Sequence, residues 1–129
     1  MVAYGLFRVF EADGRRRASL DSRLGYDRHM SRDRVLDPEG AHAAAARQLT
    51  SFEGRRVLEI GCGEGRLTYA LAGEARSWRA TEPDAASVRT ARRNLPRELR
   101  DKVKLEVVGG TEVRGSPGEF DLVFFSWSL

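Results

Sequence analysis

Between Val57 and Leu71 the sequence reads VLEIGCGEGRLTYAL, with Glu59 followed by Gly61, Gly63 and Gly65 at every second position. Glycine admits positive φ and carries no Cβ, so a ligand can come close to the backbone of this loop. The segment beginning near Glu64–Arg66 reads as a helix, whose first turn would present N–H groups and a positive dipole end to an anion. Glu82, 21 residues after Gly61, closes the run ATE before Pro83 and Asp84. A carboxylate there can accept hydrogen bonds from both hydroxyls of a ribose. The chemistry that suits these residues is the binding of a nucleotide-like molecule carrying a carboxylate or a phosphate.

Other chemistries fit less well. The dinucleotide fingerprint G-x-G-x-x-G needs a third glycine where this chain has Arg66, and no G-x-x-x-x-G-K-[ST] run occurs. Cys62 is the sole cysteine, which excludes an internal disulfide and a cysteine-based zinc site. No histidine stands near it in sequence, so it reads as a small residue making backbone contacts, not as a nucleophile. His29 and His42 are the only histidines and neither lies in a motif; no metal site is expected. Phe125 and Trp127 suit either a ligand-facing wall or an apolar core, and Ser126 between them is the residue expected to face the cleft.

The elements that must position these residues alternate in type. DPEGAHAAAARQLTSFEG reads as a helix with Asp37 as N-cap and Pro38 in its first turn, running to about Phe52 and stopped by Gly54. Arg56–Ile60 is a strand fit for burial on both faces. GRLTYALAGEA is a helix, and Ser77–Glu82 a second strand. DAASVRTARRNL is a helix with Ala85, Val88, Ala91 and Leu95 on one side, ended by Pro96. Lys102–Val108 is a third strand, GGTEVRGSPGE a loop, and Phe120–Trp127 a fourth, strongly apolar strand. This order predicts an α/β fold: an open, doubly wound, mostly parallel sheet with right-handed crossovers and an N-terminal helix. Residues 1–36 read as an N-terminal tail with at most one short ordered piece, such as the strand-like YGLFRVF; residues 37–129 form the expected domain. The fourth strand would expose a sticky LVFF edge, so the sequence reads as cut within a larger domain.

The run LEIGCGEG resembles the E/D-x-G-x-G-x-G motif of class I S-adenosylmethionine-dependent methyltransferases. The resemblance continues through Glu82 and Pro83 in ATEPD, through VVGGTEV after the third strand, and through FDLVFFSWSL at the fourth, covering residues 37–129 in order. It implies S-adenosylmethionine as cofactor, with Glu59 near the methionine ammonium, Gly61, Cys62, Gly63 and Gly65 along its backbone, and Glu82 on the ribose. It also implies Pro83, Gly110, Thr111 and Ser126 as cofactor neighbours. An acid usual after the third-strand glycine is replaced here by Gly110, with Thr111 and Glu112 following. The implied activity is methyl transfer to a small-molecule acceptor, because the Asn/Asp-Pro-Pro-aromatic motif of amino-methylating nucleic-acid enzymes is replaced by SWSL. No catalytic residue is assigned. The alternatives are an inactive or partner-completed cofactor-binding module and a nicotinamide- or nucleotide-binding α/β domain.

Composition adds bounds. At 129 residues with 41% hydrophobic residues, the chain holds one domain with a core. Its net charge of +3 comes from arginine-rich basic residues without interleaved aromatics, so no nucleic-acid partner is expected. No secretory signal or apolar span is visible, which predicts a cytoplasmic protein without a membrane partner. Oligomeric state is not legible.

Overall fold

The structure, a computed structural model, describes residues 6–11, 17–21 and 40–126. Six strands form one sheet: β1 (Leu6–Glu11), β2 (Arg17–Asp21), β3 (Arg56–Ile60), β4 (Ser77–Glu82), β5 (Val103–Val107) and β6 (Leu122–Phe125). Their spatial order is β2-β1-β6-β3-β4-β5. The four strands from β6 to β5 are parallel, whereas β1 pairs antiparallel with both β2 and β6. The alternation in the sequence predicts this open, mostly parallel α/β sheet. Helices α1 (Ala41–Leu49), α2 (Arg66–Leu71) and α3 (Ala85–Asn94) accompany it.

Helices and sheet share one core. Ala43 and Ala46 of α1, Leu67 and Leu71 of α2, and Val88 and Ala91 of α3 cluster with Val57, Trp78, Ala80, Val103, Leu105, Leu122 and Phe124. Those strand residues lie on a single face by register. Right-handed crossovers explain the arrangement: β3–α2–β4 and β4–α3–β5 step in the same direction, so both helices fall on one side. Phe52 anchors the middle of the core, with ring centroids 5.6 Å from Trp78 and 5.5 Å from Phe124. The opposite face carries Leu58, Ile60, Val123 and Phe125, and Phe10 of β1 meets Phe125 edge-on at 5.5 Å.

Several boundaries differ from the sequence expectation, each for a local reason. Helix α1 begins after Gly40, which sits at φ +70°, and ends at the extended Thr50, so Phe52 is released into the core. Asp37 and Pro38, the expected start of that helix, lie outside the described residues. Helix α2 stops at Leu71 instead of continuing to Ala75, and tight turns carry the chain into β4. The Lys102 ammonium donates to the carbonyls of Gly73 and Ala75 in that turn, at 3.1 and 2.8 Å. In α3, Val88 and Ala91 are buried, as is Leu95 at its C-cap, but Ala85 is exposed at the first turn. Strand β6 spans Leu122–Phe125, with Asp121 held by Arg56 before its start; Trp127 of the expected strand lies outside the described residues.

The largest difference is at the N-terminus. Two strands, β1 and β2, lie within the stretch that reads as a tail. Strand β1 lines the edge of β6 that the sequence leaves bare, and Glu11 pairs with Arg55 at 3.3 Å to fix its end. A buried apolar strand has unpaired N–H and C=O groups on any open edge, and pairing satisfies them.

Candidate functional site

Chain order reverses between β3 and β6. After β5 the chain returns across the sheet and enters on the far side of β3, so the strand order reverses beside β3. A crevice opens at such a switch point. The loop Gly61–Gly65 leaves β3 there, with Gly61, Gly63 and Gly65 at φ +84°, +57° and +89°. Two of these conformations do specific work. At Gly63 an added Cβ would meet nothing within 4 Å, so the missing side chain leaves open space beside the backbone. At Gly65 an added Cβ would sit 2.9 Å from the Tyr69 ring, which covers the loop from α2.

The loop is held tightly from beneath. The Gly61 and Cys62 amides both donate to the Thr81 carbonyl, at 2.8 and 3.0 Å, and the Gly65 amide donates to the Cys62 carbonyl at 3.0 Å. The Gly63 amide donates to Glu82 Oε2 at 3.0 Å. These four N–H groups are therefore occupied within the protein. What the loop offers a ligand is shape and the side chains at its rim.

A cavity of about 310 Å³ lies over the loop, lined by Gly61, Cys62, Gly63, Glu64, Arg66, Leu67 and Glu82. Its size falls at the lower end of ligand cavities, roughly 300–1,000 Å³. Of the sequence-predicted residues, the structure brings Gly61, Cys62, Gly63 and Glu82 to this wall. Glu82 Oε2 accepts from the Gly63 amide and Oε1 from the Asp84 amide at 3.2 Å. Each oxygen retains acceptor capacity for a further hydroxyl. Asp84 in turn caps α3 by accepting from the Ser87 amide at 3.1 Å, and its carboxyl is held below the ordinary range by that residue's hydroxyl and amide.

The remaining expected residues stand elsewhere. Gly65 is buried at the start of α2. Pro83 is exposed beyond Glu82, and Gly110 and Thr111 are exposed in the loop after β5. An added Cβ on Gly110 would come within 3.3 Å of Ile60, so that loop passes close to the carboxyl end of β3. Glu59 and Ser126 lie below the cavity and are fully buried. Glu59 Oε2 accepts from Thr68 Oγ1 and, at 2.8 Å, from Trp78 Nε1; Glu59 Oε1 lies 2.6 Å from Ser126 Oγ. Burial pushes the Glu59 carboxyl above its ordinary range, outweighing the hydrogen bonds from Ser126, Thr68 and Trp78, and Glu82 pushes it the same way. The Cys62 thiol is also raised, first by burial and then by Glu59 and Glu82, which keeps it protonated and unreactive.

Sequence reasoning missed Glu64, Arg66 and Leu67. Arg66 is notable because its guanidinium bonds His42 Nδ1 of α1 at 3.1 Å while lining the cavity. The signal was its place in the first turn after the glycines, where the side chain must lie near the loop. The cavity thus combines carboxylates with one guanidinium on its wall. Among the described residues no His, Cys, Asp and Glu group has metal-binding geometry, and no helix is long and apolar enough to cross a membrane.

The sequence profile of a family described as methyltransferase domain matches residues 57–129. No curated protein sequence matches at a significant level. Among solved structures, the 23S rRNA methyltransferase ErmE aligns at 25% identity over 61% of this chain and 32% of its own, with a TM-score of 0.51. A dimethyladenosine transferase from Plasmodium falciparum aligns at 18% identity over 63% of this chain and 29% of its own, with a TM-score of 0.51. Phosphoethanolamine N-methyltransferase 1 from Haemonchus contortus, in complex with phosphoethanolamine and S-adenosylhomocysteine, aligns at 20% identity over 60% of this chain and 16% of its own, with a TM-score of 0.50. The chain therefore spans about a third or less of the length of each.

Proposed function

The chain belongs to the methyltransferase-domain family, and from that premise we propose that it binds S-adenosylmethionine over the Gly61–Gly65 loop and passes the methyl group to a small-molecule acceptor. The carrying observation is the placement of Glu82. Its carboxylate is fastened to the Gly63 amide at the rim of the cavity and keeps acceptor capacity for both ribose hydroxyls. The open space at Gly63 admits the cofactor's backbone approach, and Arg66 supplies a cation for its carboxylate.

When bound, the cofactor supplies an electrophilic methyl group on its sulfonium. What the chain's residues do is bind and orient. Glu82 and the loop fix the sugar and the amino-acid part, and holding donor and acceptor in line near ~3–3.5 Å provides much of the acceleration in such a transfer. The small-molecule reading rests on the sequence after β6, which lacks the motif of amino-methylating nucleic-acid enzymes.

Calorimetric titration with S-adenosylmethionine and with NAD tests the cofactor. Binding of the first and not the second is expected; the reverse would transfer the site to the nucleotide-binding class. Incubation with methyl-labelled cofactor and separate arms of small molecules and RNA tests the acceptor. Label in a small molecule is expected, label in RNA would overturn the acceptor assignment, and binding without transfer in any arm would favour a partner-completed module.

A further inference from the structure

Glu59 is the one acid of the motif that the cavity does not use, and its surroundings are unusual for a carboxylate. It is 0% exposed one residue before the end of β3, and no ion pair reaches it among the described residues. The titratable group that acts on it is Glu82 at the end of β4, which has the same sign, and Glu59 in turn raises the Cys62 thiol of the loop. From α2, β4 and β6 it meets Thr68, Trp78 and Ser126, none of them charged. An ion buried without a counter-charge costs several kcal/mol after relaxation.

The hydrogens available around Glu59 favour one state. Trp78 Nε1–H can only donate, and it donates to Oε2. Ser126 has one hydroxyl proton but two oxygens within reach, Glu59 Oε1 at 2.6 Å and the Gly61 carbonyl at 3.2 Å. If Glu59 were ionised, that single proton could serve only one of them fully. If Oε1 carries a proton, it donates to Ser126 Oγ, and the Ser126 hydroxyl is free to donate to the Gly61 carbonyl. Every polar group then has its partner.

We propose that Glu59 is a positioning residue, held as a neutral carboxylic acid whose proton goes to Ser126, and that this chain of hydrogen bonds clamps the glycine loop to the end of β6 instead of meeting the cofactor's ammonium. The clamp has two sides. Ser126 holds Gly61 from β6, through its hydroxyl on the Gly61 carbonyl and its amide on the Ile60 carbonyl at 3.0 Å. Thr81 of β4 holds the same loop by accepting from the Gly61 and Cys62 amides. Glu59 stands between the two strands and also grips α2 through Thr68. The inference rests on the cofactor reading only for the ligand the loop serves; the state of the carboxyl is independent of it.

The discriminating substitution is Glu59→Gln in the full chain. An amide reproduces the neutral acid: its oxygen accepts from Trp78 and Thr68, and its N–H₂ donates to Ser126. The variant is expected to melt at the wild-type temperature or above and to bind S-adenosylmethionine within about threefold of wild type. Infrared difference spectra of wild type against the variant are expected to show a protonated-carboxyl C=O band at neutral pH, unchanged by the cofactor. Absence of that band in wild type would overturn the neutral state. A folded Glu59→Gln protein with wild-type melting but at least tenfold weaker binding would return Glu59 to the role of a charged ligand. Should wild type itself not bind S-adenosylmethionine, the cofactor reading fails, while the band and the melting temperatures still decide the state of Glu59.

Discussion

Replacing Glu82 by alanine separates what the carboxylate does for the loop from what it does for a ligand. In the free protein it removes the acceptor of the Gly63 amide at 3.0 Å and of the Asp84 amide at 3.2 Å. Both amides border an open cavity or exposed turn, so water replaces much of what is lost, and each bond contributes about 0.5–1.5 kcal/mol. A fall in melting temperature of a few degrees follows. In the complex the same substitution removes an ionised acceptor from two ribose hydroxyls. Hydrogen bonds to charged groups are worth about 1.5–3 kcal/mol each, and competing water reduces the pair to a net of roughly 1–3 kcal/mol. At 1.4 kcal/mol per factor of ten, S-adenosylmethionine binds about 5- to 150-fold more weakly.

Calorimetry on wild type, Glu82→Ala and Glu82→Gln measures this directly. Glutamine keeps one oxygen for the Gly63 amide but loses the charge, so its affinity should fall between the other two while its melting temperature stays closer to wild type. The reasoning is refuted if Glu82→Ala binds within twofold of wild type while melting lower. That pattern would mean the carboxylate braces the loop and never meets the sugar.

Gly65→Ala should destabilise the fold by ~1–3 kcal/mol, because the position is at φ +89° and the new methyl would lie 2.9 Å from the Tyr69 ring. Chemical denaturation checks it, and Tyr69→Ala in the same background should recover only the steric part; an unaltered midpoint in the single variant contradicts the loop geometry. The buried, protonated Cys62 thiol should react with a disulfide reagent far more slowly in native protein than in denaturant at mildly alkaline pH, and equal rates would show an open site. The bidentate pair of Arg56 with Asp121 predicts an acid-dependent stability. Asp121 is depressed to about 2 from 3.8, first by the hydrogen bonds of the Arg56 side chain and backbone. A depressed carboxyl stabilises the fold above its unfolded value and loses that contribution as pH falls from 3.8 through about 2. Melting temperature against pH should therefore fall less steeply in that window for Asp121→Asn, and parallel curves would remove the pair from the account. The effect is modest because both side chains are 40% exposed.

Legibility in the sequence followed the range of the forces involved. Strands β3 and β4 were readable to the residue, since a short apolar run bounded by Gly54 or Gly61, or by Pro83, carries its own limits. Helix ends were less readable because tertiary partners set them. Lys102 ends the turn after α2 from 27 residues away, and the pull of Trp78 and Phe124 on Phe52 shortens α1. The strand-like YGLFRVF marked β1, but β2 and the pairing stayed hidden, because β1 finds its place on the edge of β6, more than a hundred residues later. Of the site, the loop and Glu82 announced themselves by local spacing. Arg66 was less legible, because its place at the cavity depends on the helix turn and on His42 of α1, 24 residues away.

The two acids of the motif show why spacing alone assigns roles poorly. Glu59 and Glu82 lie on the same face of the sheet by strand parity and register, which makes a shared ligand seem natural. Height along the strand separates them. Glu82 is the last residue of β4 and reaches the Gly63 amide at the rim, whereas Glu59 is one residue short of the end of β3 and faces inward beneath α2. Glu59 is level with Ala80, so two residues of rise, about 6.6 Å, exchange the open rim for Trp78, Thr68 and Ser126. A carboxyl at the rim is best used as an ion, where solvent screens it and hydroxyls seek it. A carboxyl lower down is best used as an acid, where a charge has no partner and a proton completes a chain of hydrogen bonds. On the two proposals made above, the same side chain does opposite work at two depths of one sheet, the lower one setting the shape that the upper one serves.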